Sequence, residues 1–263
     1  MNIVGSIRRR LSSPYPEGMS WREFRRIRAV APFQAGSATF LGRKILFSDS
    51  PGFLHSVTEV FADEVYRFEA TTDRPHIIDA GANIGLSVLY FKTIYPLSTI
   101  VAFEPDEDIY RMLEQNVGHL PGVTLKKEAA WVEDTELTFF SEGSLAGSAE
   151  MDFLGTGKRT VVRASRLKDE IRKKPVDFLK IDIEGAENAV MLDIKDELKT
   201  VDHLFFEYHS NPEKPQLLGE LLTIVSAAGF RYVINGTHGP RLPFVETVSH
   251  GFDLQLNVFC RRS

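Results

Sequence analysis

The most constraining stretch of the chain is His76-Ile77-Ile78-Asp79-Ala80-Gly81-Ala82-Asn83-Ile84-Gly85. A short apolar run ends at a carboxylate, two glycines frame Ala-Asn-Ile, and Leu86, Val88, Leu89 and Phe91 follow at helical spacing. Such a run reads as a buried parallel strand, a tight turn and the start of a helix. Glycine lets backbone approach a ligand closely, and the first helical turn offers unpaired N–H groups to an anion. A cofactor site is therefore the first expectation.

The stretch after it repeats the pattern. A second apolar run at 99–103 ends in Glu104-Pro105-Asp106, so Glu104 lies 19 residues past Gly85. A carboxylate at that offset can accept hydrogen bonds from both hydroxyls of a ribose. Further strands are expected at 123–131, 176–183, 203–206, 230–234 and 254–260, with helices at 108–117, after Asp182 and at 217–228. Residues 135–167 interrupt this alternation with a Gly- and Ser-rich segment, which reads as an inserted hairpin or extra sheet. Alternating strands and helices imply an α/β fold with an open, mostly parallel seven-stranded sheet, whose ligands bind at the carboxyl ends of the strands. Asp79, Glu104, Asp182, Glu207 and His209 all fall at or just past those ends.

The 263 residues suffice for one large domain with an appended segment. Residues 1–72 read as an N-terminal extension that covers the sheet, and 73–263 as the ligand-binding domain. In the extension, Ser20-Trp21-Arg22-Glu23 forms a capping-box pattern. Trp21, Phe24 and Ile27 then share one helical face and arginines take the other, followed by two short strands at 39–41 and 45–47 and a helix over 53–68. That basic face suits a solvated helix surface, a substrate lid, a dimer contact or a membrane-surface helix. Residues 1–30 carry seven arginines against two glutamates, a net +5, so the remainder carries −10 of the total −5. The overall charge argues against a nucleic-acid partner. Cys260 is the single cysteine, which excludes a disulfide framework and a cysteine-based zinc site. No apolar run is long enough for stable membrane insertion, so a cytoplasmic location is the default.

Three segments in order, 77–85, Ala102-Phe103-Glu104-Pro105 and 177–187 with its Lys180-Ile181-Asp182-Ile183-Glu184-Gly185-Ala186-Glu187 core, resemble the FkbM family of S-adenosylmethionine-dependent methyltransferases. Glu207-Tyr208-His209 matches a Glu-x-His of the same family, and the resemblance runs from about residue 45 to about residue 211. It implies a class I methyltransferase (Rossmann-like) fold. S-adenosylmethionine would lie across the first strand-helix turn, with Asp79, Gly81, Ala82, Asn83 and Gly85 contacting or shaping its methionine end, Glu104 on the ribose and Asp182 alongside. It also implies O-methylation of a small-molecule acceptor, a sugar or natural product.

The residues add a mechanism. An alcohol is a poor nucleophile unless its proton leaves as it attacks, which calls for a general base. His209 is the expected base, with Asp182 and Glu207 orienting it or the substrate. The sequence Lys180-Ile181-Asp182-Ile183-Glu184 lacks the (Asn/Asp)-Pro-Pro-aromatic motif of enzymes that methylate amino groups, which favours oxygen as acceptor. Glu184 and Glu187, three apart at a helix start, suit either the macrodipole or the chemistry. No metal is the favoured reading. The alternative is Mg²⁺ held by Asp182, Glu207 and His209. Acceptor contacts are expected from the N-terminal arm, the 141–157 insert and the 235–251 loop, and a homodimer is left open. The rival functions are a non-catalytic nucleoside-binding protein and an NAD-dependent oxidoreductase. The G-x-x-x-G spacing of Gly81 and Gly85 disfavours the oxidoreductase.

Overall fold

The computed structural model describes residues 16–140, 159–246 and 252–262, with backbone alone at 139 and 140. The first 15 residues, the insert from 141 to 158 and the end of the 235–251 loop lie outside the described residues. The chain divides into two compact units, with the boundary between Arg67 and Phe68.

In the first unit, helix α1 (Trp21–Arg28) starts at Ser20, whose Oγ accepts the Glu23 N–H at 3.2 Å. The Glu23 carboxylate, expected to complete the capping box, instead takes the Arg26 guanidinium and the Thr39 N–H at 2.6 Å. Strands β1 (Gly36–Phe40) and β2 (Arg43–Phe47) form an antiparallel hairpin. Its two-residue turn, Leu41-Gly42, has φ of 51° and 71°. Two positive φ values give a turn whose twist matches that of the paired strands. Helix α2 (Ser50–Val57) runs on into a π-helical turn, Thr58–Ala62, so the helix expected over 53–68 stops six residues early.

In the second unit, β3 (His76–Ala80), β4 (Thr99–Phe103), β5 (Val123–Lys126), β9 (Val176–Ile181), β10 (Val201–Ser210), β11 (Phe230–His238) and β12 (Leu254–Arg262) build a seven-stranded sheet. Its order is β11-β12-β10-β9-β3-β4-β5. The pairs among β10, β9, β3, β4 and β5 are parallel, and β12 runs antiparallel to both neighbours. This is the class I methyltransferase sheet that the sequence led one to expect. Strand order reverses between β3 and β9, and ligands of such sheets bind at that switch point. The loop leaving β3 begins at Gly81 and the loop leaving β9 begins at Asp182, so both open there.

Strand β3 is buried along its whole length because the sheet is covered on both faces. Ile78, Leu179, Ile181, Leu204 and Phe206 join one core cluster. On the other side of the pleat Phe178 meets Phe91 at 5.1 Å and Phe68 at 4.9 Å between ring centroids. Helices α3 (Leu86–Ile94), α4 (Glu107–Val117), α5 (Leu167–Ile171), α6 (Glu187–Ile194) and α7 (Leu218–Ala227) complete the unit.

Two strand expectations need correction. The third strand, expected over 123–131, divides: β5 stays in the large sheet, and β6 (Ala129–Trp131) joins a three-stranded sheet of order β6-β8-β7. There β7 (Thr135–Phe140) and β8 (Arg159–Arg166) form the inserted antiparallel hairpin, and β6 pairs with β8 in parallel. Strand β10, expected to end near residue 206, continues to Ser210 because β12 pairs with it along eight residues. Glu207 and His209 thus lie within a strand rather than beyond its end.

Candidate active site

The glycine turn is closed on itself. The N–H groups of Gly81 and Ala82 both donate to the Phe103 carbonyl, at 3.1 and 2.8 Å, and Gly85 N–H donates to the Ala82 carbonyl at 2.9 Å. Asn83 N–H donates to Glu104 Oε2 at 3.0 Å, and Ile84 N–H to the Asn83 side-chain oxygen at 2.7 Å. Every backbone donor of the turn therefore has an internal acceptor. Donors without an i−4 helical acceptor begin one residue later, in the first turn of α3.

The glycines serve packing before ligand approach. Gly81 has φ +87°, and a Cβ there would sit 1.7 Å from the Asp182 carbonyl oxygen. A Cβ on Gly85 would lie 2.8 Å from the Leu113 side chain of α4. Asp182 N–H donates to the Ala80 carbonyl at 3.0 Å, so the loops after β3 and β9 are in direct contact.

Of the residues expected around the cofactor, Gly81, Asn83 and Asp182 keep surface at this rim, whereas Asp79, Ala82 and Gly85 are buried beneath it. Asp79 is fully buried, with one oxygen bonded by the Ser87 hydroxyl and the other 3.2 Å from Lys180 Nζ. Lys180, whose role the sequence left open, also lies 3.2 Å from Asp182 Oδ2 and donates to the Gly81 carbonyl at 2.8 Å. One buried ammonium thus ties the acid of β3, the acid after β9 and the glycine turn together.

Glu104 adjoins the turn. Its second oxygen accepts the Asp106 N–H at 2.9 Å, and each oxygen keeps a lone pair for a further donor. Burial pushes its pKa up to about 8, and the Asp106 charge adds to this against the pull of the two backbone N–H bonds and Lys180. Ribose hydroxyls bond best to the charged carboxylate, so binding there expels the proton. The Kd for S-adenosylmethionine is expected to fall about tenfold per pH unit as pH rises towards 8, then level off. Titration calorimetry in buffers of different ionisation enthalpy reads the released proton, and a Kd constant from pH 6 to 9 refutes the assignment.

The side chains of Asp182, Glu207 and His209 also converge, with ligand-type atoms within 4.8 Å of one another. Burial alone would raise Asp182, but the Lys180 ammonium, the His209 imidazolium and hydrogen bonds from Glu207 and Lys180 outweigh it and hold its pKa below 3.8. Burial and the Asp182 charge push Glu207 well above 4.5. The pair therefore shares one proton, carried by Glu207.

His209 does not fit the base role expected of it. It is 1% exposed, its Nδ1 is 3.0 Å from Glu187 Oε1, and its Nε2 is 3.5 Å from Glu184 Oε2. Burial opposes protonation, yet the carboxylates of Glu187, Glu184 and Glu207 overcome it and push the pKa up to about 10. An imidazolium has no lone pair with which to accept a proton. The Gln255 amide nitrogen lies 2.7 Å from Glu207 Oε1 and 3.1 Å from His209 Nε2. With His209 charged and Glu207 protonated, the amide oxygen satisfies both donors at that position, and flipping the amide places it there.

Glu187 is fully buried at the start of α6 and accepts the Ile183 and Gly185 N–H groups at 3.0 and 2.9 Å. It shapes the turn holding Glu184, whose φ is 53°. The His209–Glu187 pair contributes stability that is complete below pH 6.5, the ordinary histidine value, and is lost as pH rises through about 10. Urea titrations are expected to show the gap between wild type and His209→Gln narrowing over that range, and a gap independent of pH contradicts the pair.

A cation does not suit this cluster. Lys180 already occupies the Asp182 carboxylate, and metal binding would require His209 to give up its proton between three carboxylates. EDTA is accordingly expected to leave turnover unchanged, and loss restored by Mg²⁺ reverses that reading. A cavity of about 560 Å³ lies between the small sheet and α5, lined by Lys126, Glu128, Arg163, Arg166 and Glu170 among others.

A family model, the methyltransferase FkbM domain, matches residues 79–232. "Methyltransferase 1" of Beauveria bassiana (strain ARSEF 2860) is 30% identical over 170 residues, covering 55% of this chain and 68% of that relative. The "31-O-demethyl-FK506 methyltransferase FkbM" of Streptomyces tacrolimicus is 24% identical over 241 residues, covering 78% of this chain and 86% of its own. The crystal structure of methyltransferase FkbM from Methylobacillus flagellatus KT superposes with a TM-score of 0.45 at 17% identity, covering 73% of this chain and 45% of that one. With that domain spanning more than half its length and carrying all three sequence signatures, the chain belongs to the FkbM methyltransferase family.

Proposed function

We propose that this methyltransferase moves a methyl group from S-adenosylmethionine to a hydroxyl of a small molecule, with Asp182 rather than His209 taking the proton. The observation that carries the reading is the double placement of Asp182. Its carbonyl fills the space beside Gly81, on the turn expected to hold the donor, and its carboxylate belongs to the proton-sharing pair with Glu207.

When bound, S-adenosylmethionine supplies an electrophilic methyl carbon on sulfur. A hydroxyl directed at that carbon forms a C–O bond as the S–C pair returns to sulfur, and its proton passes to the Asp182 carboxylate. The Asp182–Glu207 pair holds one proton between two carboxyl groups and so has room for a second. Lys180 keeps Asp182 ionised and fixed against the glycine turn, and positioning of this kind supplies much of the acceleration in a displacement. His209, charged and buried, stabilises the negative pair from below.

The acceptor reading draws on the same rim. Strand β11 ends there because it runs parallel to β10, and its His238 pairs with Gln255, which touches Glu207. The turn that follows is closed by Leu242 N–H on Glu246 and leaves Leu242, Phe244 and Val245 exposed, Phe244 completely. Exposed apolar side chains beside a polar centre suit a natural product with an apolar framework better than a free sugar. The name of the Streptomyces relative, 31-O-demethyl-FK506 methyltransferase, supports oxygen as the acceptor atom.

Calorimetry with S-adenosylmethionine, S-adenosylhomocysteine and NAD, followed by turnover on a panel of hydroxylated acceptors, tests the proposal. Binding of the two sulfur nucleosides with methyl ether formation supports it. Binding without turnover on any hydroxyl favours the non-catalytic reading, and preference for NAD favours the oxidoreductase.

A further inference from the structure

We infer that the exposed face of the N-terminal helix α1 docks on an anionic lipid surface. Ile27 is fully buried and fixes which side of the helix faces inward. Trp21, Arg22, Arg25 and Arg28 are exposed on the remaining surface, Trp21 by 44%. The Arg25 guanidinium stands 5.7 Å over the Trp21 ring and that of Arg28 6.0 Å over Phe24. The two rings themselves stack at 6.0 Å. Glu23 and Arg26 neutralise each other, so the helix presents three guanidinium groups with no carboxylate partner among the described residues.

A second observation in the same unit points to the same chemistry. Phe33 is 65% exposed although its φ is 60°, a conformation that costs a bulky residue free energy. Its N–H is held by Asp49 Oδ1 at 2.6 Å, while the other Asp49 oxygen caps α2 through Gly52 N–H at 2.8 Å. The fold thus maintains a strained backbone that leaves an aromatic ring in water. Burial does not explain that arrangement, and insertion of the ring into an apolar boundary does. Leu41, also at positive φ, is 38% exposed beside the exposed Lys44.

Arginine forks pair with phosphate oxygens, and tryptophan and phenylalanine rings settle at the boundary between headgroups and acyl chains. Nucleic acid offers the phosphates but no apolar phase in which Trp21 and Phe33 could settle. The contact is peripheral, since no described helix is long and apolar enough to cross a membrane.

Co-sedimentation of the full chain with vesicles of phosphatidylcholine alone, or with added phosphatidylglycerol, tests the inference. Binding to the anionic vesicles alone is expected, with a blue shift of Trp21 emission in a Trp131→Phe background. The triple variant R22Q/R25Q/R28Q is expected to bind about a hundredfold more weakly, at about 1 kcal/mol per lost charge. The Phe33→Gly variant is expected to melt higher, because glycine accepts that φ, and yet to bind less. Equal binding to both vesicle types, unaltered binding of the triple variant, or failure of wild type to sediment with anionic vesicles overturns the inference. So does a Phe33→Gly variant that binds as wild type does. An RNA oligonucleotide bound in preference to the vesicles assigns the face to nucleic acid instead.

Discussion

Asp182→Asn is expected to lower kcat by about 10²- to 10⁴-fold, the range associated with loss of a positioned proton acceptor. Asparagine matches aspartate in shape, so the Gly81 contact and the fold persist, while the charge that receives the proton is gone. Lys180 keeps its contacts with Asp79 and the Gly81 carbonyl, so that neighbourhood holds together. Rapid-quench measurements at saturating donor separate this loss from weaker binding. A second readout comes from the acid limb of the wild-type pH profile. With Asp182 as base, the acid limb lies below the ordinary carboxylate range, because the Lys180 ammonium holds that carboxylate under its usual value despite burial. A histidine base of ordinary pKa would place the limb near 6.5. An Asp182→Asn enzyme within tenfold of wild type, or a limb near 6.5, removes Asp182 from the role of base.

Gly81→Ala is expected to be the most damaging single methyl addition at the site. The new Cβ would lie 1.7 Å from a backbone oxygen, and backbone cannot swing aside as a side-chain tip does. Relief requires the loops after β3 and β9 to part, which breaks the Asp182 N–H bond to Ala80 and moves the proton acceptor. Overpacking together with a non-glycine residue in the left-handed region costs roughly 4 kcal/mol. For a unit of this size that lowers Tm by about 10 °C. Gly85→Ala carries the same left-handed penalty at φ +92° but meets side-chain atoms of Leu113 and Val117 rather than backbone, and is expected to cost less. Thermal denaturation of both variants decides the matter, and a Gly81→Ala protein as stable as wild type removes the packing account of this glycine.

These expectations rest on two kinds of knowledge. The strands around the switch point were legible because β3, β4 and β9 are buried on both faces and so read as short apolar runs, each stopped by an acid. The pairing of Glu104 with the glycine turn was likewise legible, since adjacent parallel strands bring their carboxyl ends together. The division of 123–131 into two strands was not, because local apolar content does not say which sheet a strand joins. Nor was the length of β10, which is set by β12 from a distant part of the chain. Gln255 carried no signal at all, for its contact with His209 exists only in the β10–β12 register.

By itself the sequence determined the alternation of strands and helices and the acids that stop the strands, because periodicity and strand ends are local properties of a chain. Only the tertiary structure decided how those residues are charged. Lys180 on β9 reaches across to Asp79 on the neighbouring β3 as well as to Asp182 at its own strand end, and Glu187 reaches His209 from a separate helix. Proton affinity depends on such distances through space, so the imidazole that reads as a base along the chain is a buried cation in the fold.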